Sequence, residues 1–185
     1  MKNATPRAEV PESTPAPSPR AVIVMGVCGT GKSTVGQALA ARQGWTYADA
    51  DDFHPAANVE KMRAGTPLND ADRAPWLDLL RSHLEERLNQ GRSAVLACSA
   101  LRVRYRDVLR GGVGTPDPRV RFVHLAGSRE LLAERLDRPG HYMPASLLDS
   151  QLATLEAPSA NEGLTLDVSL APEDLVERIA AWLDT

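Results

Sequence analysis

The sequence predicts an α/β fold, a parallel sheet of five strands with helices on both faces. Short β-rich runs alternate with longer segments of helical period along most of the 185 residues, the pattern left by parallel strands joined through crossover helices. The stretch Gly26-Val27-Cys28-Gly29-Thr30-Gly31-Lys32-Ser33 lies between one such strand and the helix after it, the context of a phosphate-holding turn.

The strands expected in order are Ala21 to Met25, Trp45 to Asp49, Ser93 to Cys98, Val120 to Leu125 and Leu164 to Val168. Ser33 to Gln43 follows the first of them as a helix. The clearest helix carries Trp76, Leu77, Leu80, Leu84 and Leu88 on one stripe, opens near Asn69-Asp70 and stops at Gly91, with a capping residue at one end and glycine at the other. Arg102 to Leu109, Ser128 to Asp137, Ser146 to Leu155 and Pro172 to Leu183 complete the helical set, several with Ser, Pro or Gly where helix ends favour them. In such a sheet a ligand lies beyond the carboxyl ends of the strands.

Composition narrows the function. With 43% hydrophobic and 24% charged residues, the chain has the balance of one globular domain. A net charge of −3 provides no bulk attraction for nucleic acid or an anionic membrane, so a small anionic ligand held by a local site is expected. No apolar run approaches the roughly 20 residues of a membrane span. Cys28 and Cys98 show no metal-ligand spacing, which fits a reducing, cytoplasmic setting. Residues 1–20 hold five prolines, four of them between Pro11 and Pro19, and are expected to form a disordered leader ahead of a domain spanning 21–185.

The octapeptide matches G-x-x-x-x-G-K-[ST] at every fixed position. Gly26, Val27, Cys28, Gly29, Thr30 and Gly31 form a loop whose N–H groups cradle the phosphates, and Thr34 opens the helix whose positive end faces them. Lys32 reaches the β- and γ-oxygens of a nucleoside triphosphate, and Ser33 is a ligand for Mg²⁺. Cys28 reads as a small loop residue rather than a redox centre. No guanine-reading N-K-x-D segment is present, and the chain is too short for most motors, so phosphoryl transfer to a small molecule leads. Asp49, Asp51 and Asp52 follow the second strand in "YADADDFHP". Transfer needs one carboxylate for the attacking hydroxyl, a role that suits Asp51, and one for Mg²⁺ or its waters, a role that suits Asp49. Capping of the next helix is the rival use for these acids. His54 either contacts the acceptor or starts the Pro55 turn.

Read together with the loop, "DADDFHPAAN", "PLNDADRAPW", "CSALRVRYRDVLR" and "RPGHYM" make this sequence resemble the gluconate kinases, P-loop small-molecule kinases related to shikimate kinase and the nucleoside monophosphate kinases. The resemblance runs from about Ala21 through "SQLATLEAP" and beyond. It implies a three-layer P-loop kinase fold with strand order 2-3-1-4-5, transfer of the γ-phosphate of ATP with Mg²⁺ to the 6-hydroxyl of D-gluconate, and a homodimer. A sugar acid calls for a guanidinium on its carboxylate and short polar groups on its hydroxyls. Arg63, Arg73, Arg102 and Arg106 are the candidates in the matched segments, with Arg102 and Arg106 favoured. Ser99 is either a site residue or a strand-end turn. The segment from 136 to 145 resembles the short lid of this group, which excludes water from the transferring phosphoryl. On that likeness Arg138 stabilises the transferred group, Arg135 lies against the adenine or reaches the phosphates, and His141 is a lid contact. Cys28, Tyr142 and Leu152 depart from the common pattern without removing a charge. The rival readings are a sister kinase for another sugar acid or a shikimate-like acceptor, and a non-catalytic ATP-binding regulator.

Overall fold

The computed structural model describes residues 18–112, 114–138 and 145–185. Most of the expected leader therefore falls outside the described residues, but its last three residues do not. The Arg20 backbone N–H donates to Ser93 Oγ at 3.0 Å, its carbonyl accepts from Ala94, and its guanidinium donates to the Leu183 carbonyl. Arg20 is thus hydrogen-bonded to Ser93, Ala94 and Leu183, at the boundary expected between leader and domain.

Five parallel strands, β1 (Ala21–Met25), β2 (Thr46–Asp49), β3 (Ala94–Ala97), β4 (Val120–Ala126) and β5 (Gly163–Asp167), form one sheet in the order β2-β3-β1-β4-β5. β1 sits at its centre, Ala21 opposite both Ala94 and Val120. Every residue of β1 is buried, as expected of a strand covered on both faces. Alternate side chains of β1 enter different cores. Val22 and Val24 pack with α1 (Lys32–Gln43), α5 (Arg129–Leu136), α6 (Ala145–Thr154) and α7 (Pro172–Leu183), whereas Ile23 and Met25 pack with α3 (Asp70–Asn89) and α4 (Val103–Leu109).

The stripe on α3 is buried as its period requires, with Leu80 and Leu84 fully covered, each worth about 1.5–3 kcal/mol of burial. Asn69 caps this helix reciprocally: its side chain accepts from the Asp72 N–H, and Asp72 accepts from the Asn69 N–H. A short 3-10 turn (Ala50–Phe53) and α2 (Ala56–Arg63) link β2 to α3. The helical pattern of α2 is absent from the sequence expectations because only Asn58 of its eight residues is buried, leaving no apolar stripe to read.

Candidate active site

The phosphate loop leaves the end of β1 at Gly26. That residue has φ +149°, and a Cβ there would stand 2.6 Å from the Leu125 carbonyl oxygen, so only glycine fits. Gly31 caps α1 in a left-handed conformation with φ +86°, and a Cβ on it would meet nothing within 4 Å. The space above the positive end of α1 is therefore open. Thr30 Oγ1 donates to the Val27 carbonyl at 2.9 Å, and the Lys32 ammonium rests on the same carbonyl at 3.0 Å. Burial lowers the Lys32 pKa. A half-buried ammonium at the positive end of α1 is a site short of negative charge, which a triphosphate supplies. Burial raises the pKa of Cys28 and pushes Cys98 up to about 12, which favours the protonated thiol over the reactive thiolate at both.

Ser33 and the acids converge next to this cradle. Ser33 Oγ donates to Asp49 Oδ2 at 3.1 Å, and Tyr47 Oη donates to the same oxygen at 3.2 Å. Asp49 Oδ1 accepts from the Asp51 N–H at 3.0 Å and caps the 3-10 turn. Capping and metal binding are thus compatible uses of one carboxylate. Ser33 and Asp49 offer the hard oxygen donors that suit Mg²⁺, which ordinarily keeps several waters besides one or two protein ligands. The Asp51 side chain is 90% exposed. The protein mass at its back and, second, the Asp49 charge raise its pKa.

His54 Nε2 lies 4.0 Å from Asp51 Oδ1, and its side chain is only 7% exposed. Its ring stacks on Trp76 with centroids 4.5 Å apart. Asn58 Nδ2 faces His54 Nδ1 at 3.4 Å and donates to the Asp72 carbonyl; Nδ1 is therefore the acceptor, and the proton sits on Nε2, facing Asp51. Burial lowers the His54 pKa, which keeps the ring neutral at pH 7.

The arginines sort into distinct roles. Arg102, the N-cap of α4, holds a buried Nε with no partner among the described residues, an orphaned donor that asks for an acceptor. Nearby, Tyr105 Oη donates to Asp70 Oδ1 at 2.6 Å, Arg104 pairs with Asp70, and Arg73 lies over the Tyr105 ring while donating to the Leu68 carbonyl at 2.6 Å. Arg63 is exposed in the last turn of α2. The expectation for Arg106 is corrected. Its side chain is 0% exposed, Nε meets Glu162 Oε1 at 2.6 Å, and Nη1 donates to the Ala100 carbonyl at 3.0 Å. A guanidinium already bonded on these sides is a brace within the fold, not a receptor for substrate. Ser99, half-buried beyond β3, accepts from the Gly26 N–H at 3.4 Å through its carbonyl and ties the two strand ends together.

A cavity of about 830 Å³ extends from the loop to the end of β5. Lys32, Ser33, Thr34, Arg135 and Arg138 line it, as do Val168, Leu170, Pro172 and Leu175. Arg135 donates to the Val168 carbonyl at 2.6 Å, and the exposed Arg138 lies 3.7 Å from Glu134. His141 and much of the expected lid lie outside the described residues. Sequence reasoning missed the apolar end of this cavity, whose only signal is its place after a strand. It also missed Gln151, whose Oε1 accepts from the Cys28 N–H at 2.7 Å. No cluster of three or more metal-ligating side chains occurs among the described residues, and no described helix is long and apolar enough to cross a membrane.

Comparison with known proteins agrees with this geometry. A family model described as an AAA domain matches residues 22–158. The gluconokinase of Gluconobacter oxydans is 55% identical over 145 residues, spanning 78% of this chain and 79% of that protein. The crystal structure of a sugar kinase from Janibacter superposes with a TM-score of 0.80 at 48% identity, covering 90% of this chain and 95% of the other. A gluconokinase structure from Sinorhizobium meliloti gives 0.75 at 42% identity, with 89% and 91% covered.

Proposed function

The chain belongs to the gluconokinase family of P-loop kinases, and from that premise we propose that it transfers the γ-phosphate of ATP to the 6-hydroxyl of D-gluconate, forming 6-phosphogluconate and ADP. The observation that carries this reading is the convergence of a phosphate loop, the Ser33–Asp49 pair and the open Asp51 carboxylate at one edge of the sheet. The donor half is the 830 Å³ cavity: its apolar end suits a nucleobase, and the N–H groups of Gly29 to Ser33 suit the phosphates. Lys32 moves from the Val27 carbonyl to the phosphate oxygens. Arg135 and Arg138 meet charge spread over the transferring group. Ser33 and Asp49 would hold Mg²⁺, which when bound neutralises phosphate charge.

On the acceptor side, Asp51 accepts the proton of the attacking hydroxyl. Neutral His54, with its proton on Nε2, faces Asp51 and steadies the ionised carboxylate. Arg102 is the receptor for the gluconate carboxylate, supported by its unpartnered buried Nε, and Arg73 is the second cation on that face. Short polar groups, Ser99 among them, meet the hydroxyls. Arg63 and His141 remain candidates for outer contacts with the acceptor. An intact base beside the cradle favours turnover over passive ATP sensing. The buried, unpaired Cys28 and Cys98 are compatible with a cytoplasmic enzyme. A homodimer, a lid over about 136–145 and a leader ahead of the kinase domain complete the reading. ADP release measured with ATP, Mg²⁺ and a panel of acceptors tests it: gluconate should be turned over, and preferential turnover of shikimate or another sugar acid would select a sister activity.

A further inference from the structure

The chain segment that carries Arg102 is strained and braced, and the brace is built from groups that take no part in the transfer. Ala100 has φ +44°, a left-handed conformation that alanine adopts only at a steric cost and only when its surroundings enforce it. Its carbonyl accepts from Arg106 Nη1 at 3.0 Å. Arg106 is in turn held by Glu162, through Nε at 2.6 Å and Nη2 at 3.3 Å, with the two side chains 0% and 12% exposed. A second tie closes the segment from the other side. Glu156 donates its N–H to the Leu101 carbonyl at 2.8 Å, and its carboxylate accepts from the Val103 N–H at 2.7 Å. Ala100, Leu101 and Val103 are thus pinned on both sides of Arg102, whose own Nε has no partner among the described residues.

A buried ion pair contributes little net stability compared with apolar residues of the same volume. Its geometry is another matter: the planar guanidinium forks between Glu162 and the Ala100 carbonyl, an arrangement that lysine cannot reproduce. We infer that Arg106 and Glu162 are positioning residues for the acceptor site, holding the Ala100 turn in its left-handed conformation so that Arg102 is presented to the acid end of the acceptor. This inference rests on the gluconate reading and on Arg102 as the carboxylate receptor.

Two variants separate positioning from stability. In Arg106→Lys the charge opposite Glu162 is kept and the fork to Ala100 is lost. In Arg106→Met/Glu162→Leu the pair is replaced by apolar side chains, a change that need not destabilise the fold. Each is expected to raise the KM for gluconate about tenfold, leaving the KM for ATP within about twofold of the parent, because the nucleotide cavity touches neither residue. Adding Ala100→Gly, which removes the cost of the positive φ, is expected to recover a substantial part of the loss. The inference is overturned if either variant, folded by its melting curve, keeps the parental gluconate KM, or if both KM values rise together. The parental enzyme serves as the control for the underlying reading: its failure to phosphorylate gluconate refutes that reading, whereas normal parental turnover with unaltered variants refutes only the brace.

Discussion

Asp51, the proposed base, combines an exposed side chain with a raised pKa, and the combination has two consequences. A base works only when ionised, so the acid limb of the kcat/KM profile should lie above the ordinary carboxylate value near 3.9; a limb at or below that value would assign it to another group. A folded-state pKa above the unfolded one also means that ionised Asp51 is disfavoured by the fold, and that this destabilisation grows as pH rises through the shifted value. Asp51→Asn should therefore melt at a higher temperature than the parent at neutral pH, with the difference vanishing at acid pH where both side chains are neutral. Turnover should fall about 10²–10⁴-fold with ATP binding retained; calorimetry and steady-state rates on one preparation check both. Arg102→Ala should raise the gluconate KM with little change for ATP, and an unaltered gluconate KM would remove Arg102 from the site. The loop lysine and its serine were legible in the sequence because the spacing of the phosphate loop specifies them, and the acids were legible as candidates because they follow the second strand, with capping as their rival use. The fate of Arg106 was not, since an arginine turned inward and one turned toward a ligand share the same helix and spacing, and the deciding partner, Glu162, lies 56 residues away.

Among the elements, the strands and the longer helices announced themselves by period, with boundaries shifted by a residue or so where caps decide them. Ser128 and Asp137, read as helix ends, are the caps flanking α5. The short, mostly exposed α2 escaped notice for want of a buried stripe, yet it supplies Asn58, which sets the His54 tautomer. The α3 helix is the scaffold for this corner, carrying Trp76 under His54 and starting from the Asn69–Asp72 capping box. Asn69→Ala should cost about 1 kcal/mol, a fall of about 2–4 °C in Tm for a chain of this size. No loss of Tm would show that the box contributes nothing beyond its geometry.

Taken as a whole, the molecule joins the segments proposed for donor and acceptor at the carboxyl edge of one sheet. The end of β1 brings the phosphate loop, the end of β2 the acids, the end of β3 Ser99 and Arg102, and the end of β5 the apolar cavity wall. Strand order β2-β3-β1-β4-β5 puts the acid-bearing and arginine-bearing strand ends side by side, as the proposed placement of one acceptor between Asp51 and Arg102 requires. Membership of the gluconokinase family adds the substrate and, in the proposed reading, the position of the new bond. The most direct test is phosphorus NMR of the product formed from ATP, Mg²⁺ and D-gluconate. A phosphomonoester coupled to the two protons of a methylene carbon places the phosphoryl on the primary 6-hydroxyl, as predicted; a phosphoester on a secondary hydroxyl, or ADP formation with gluconate left unmodified, would contradict it.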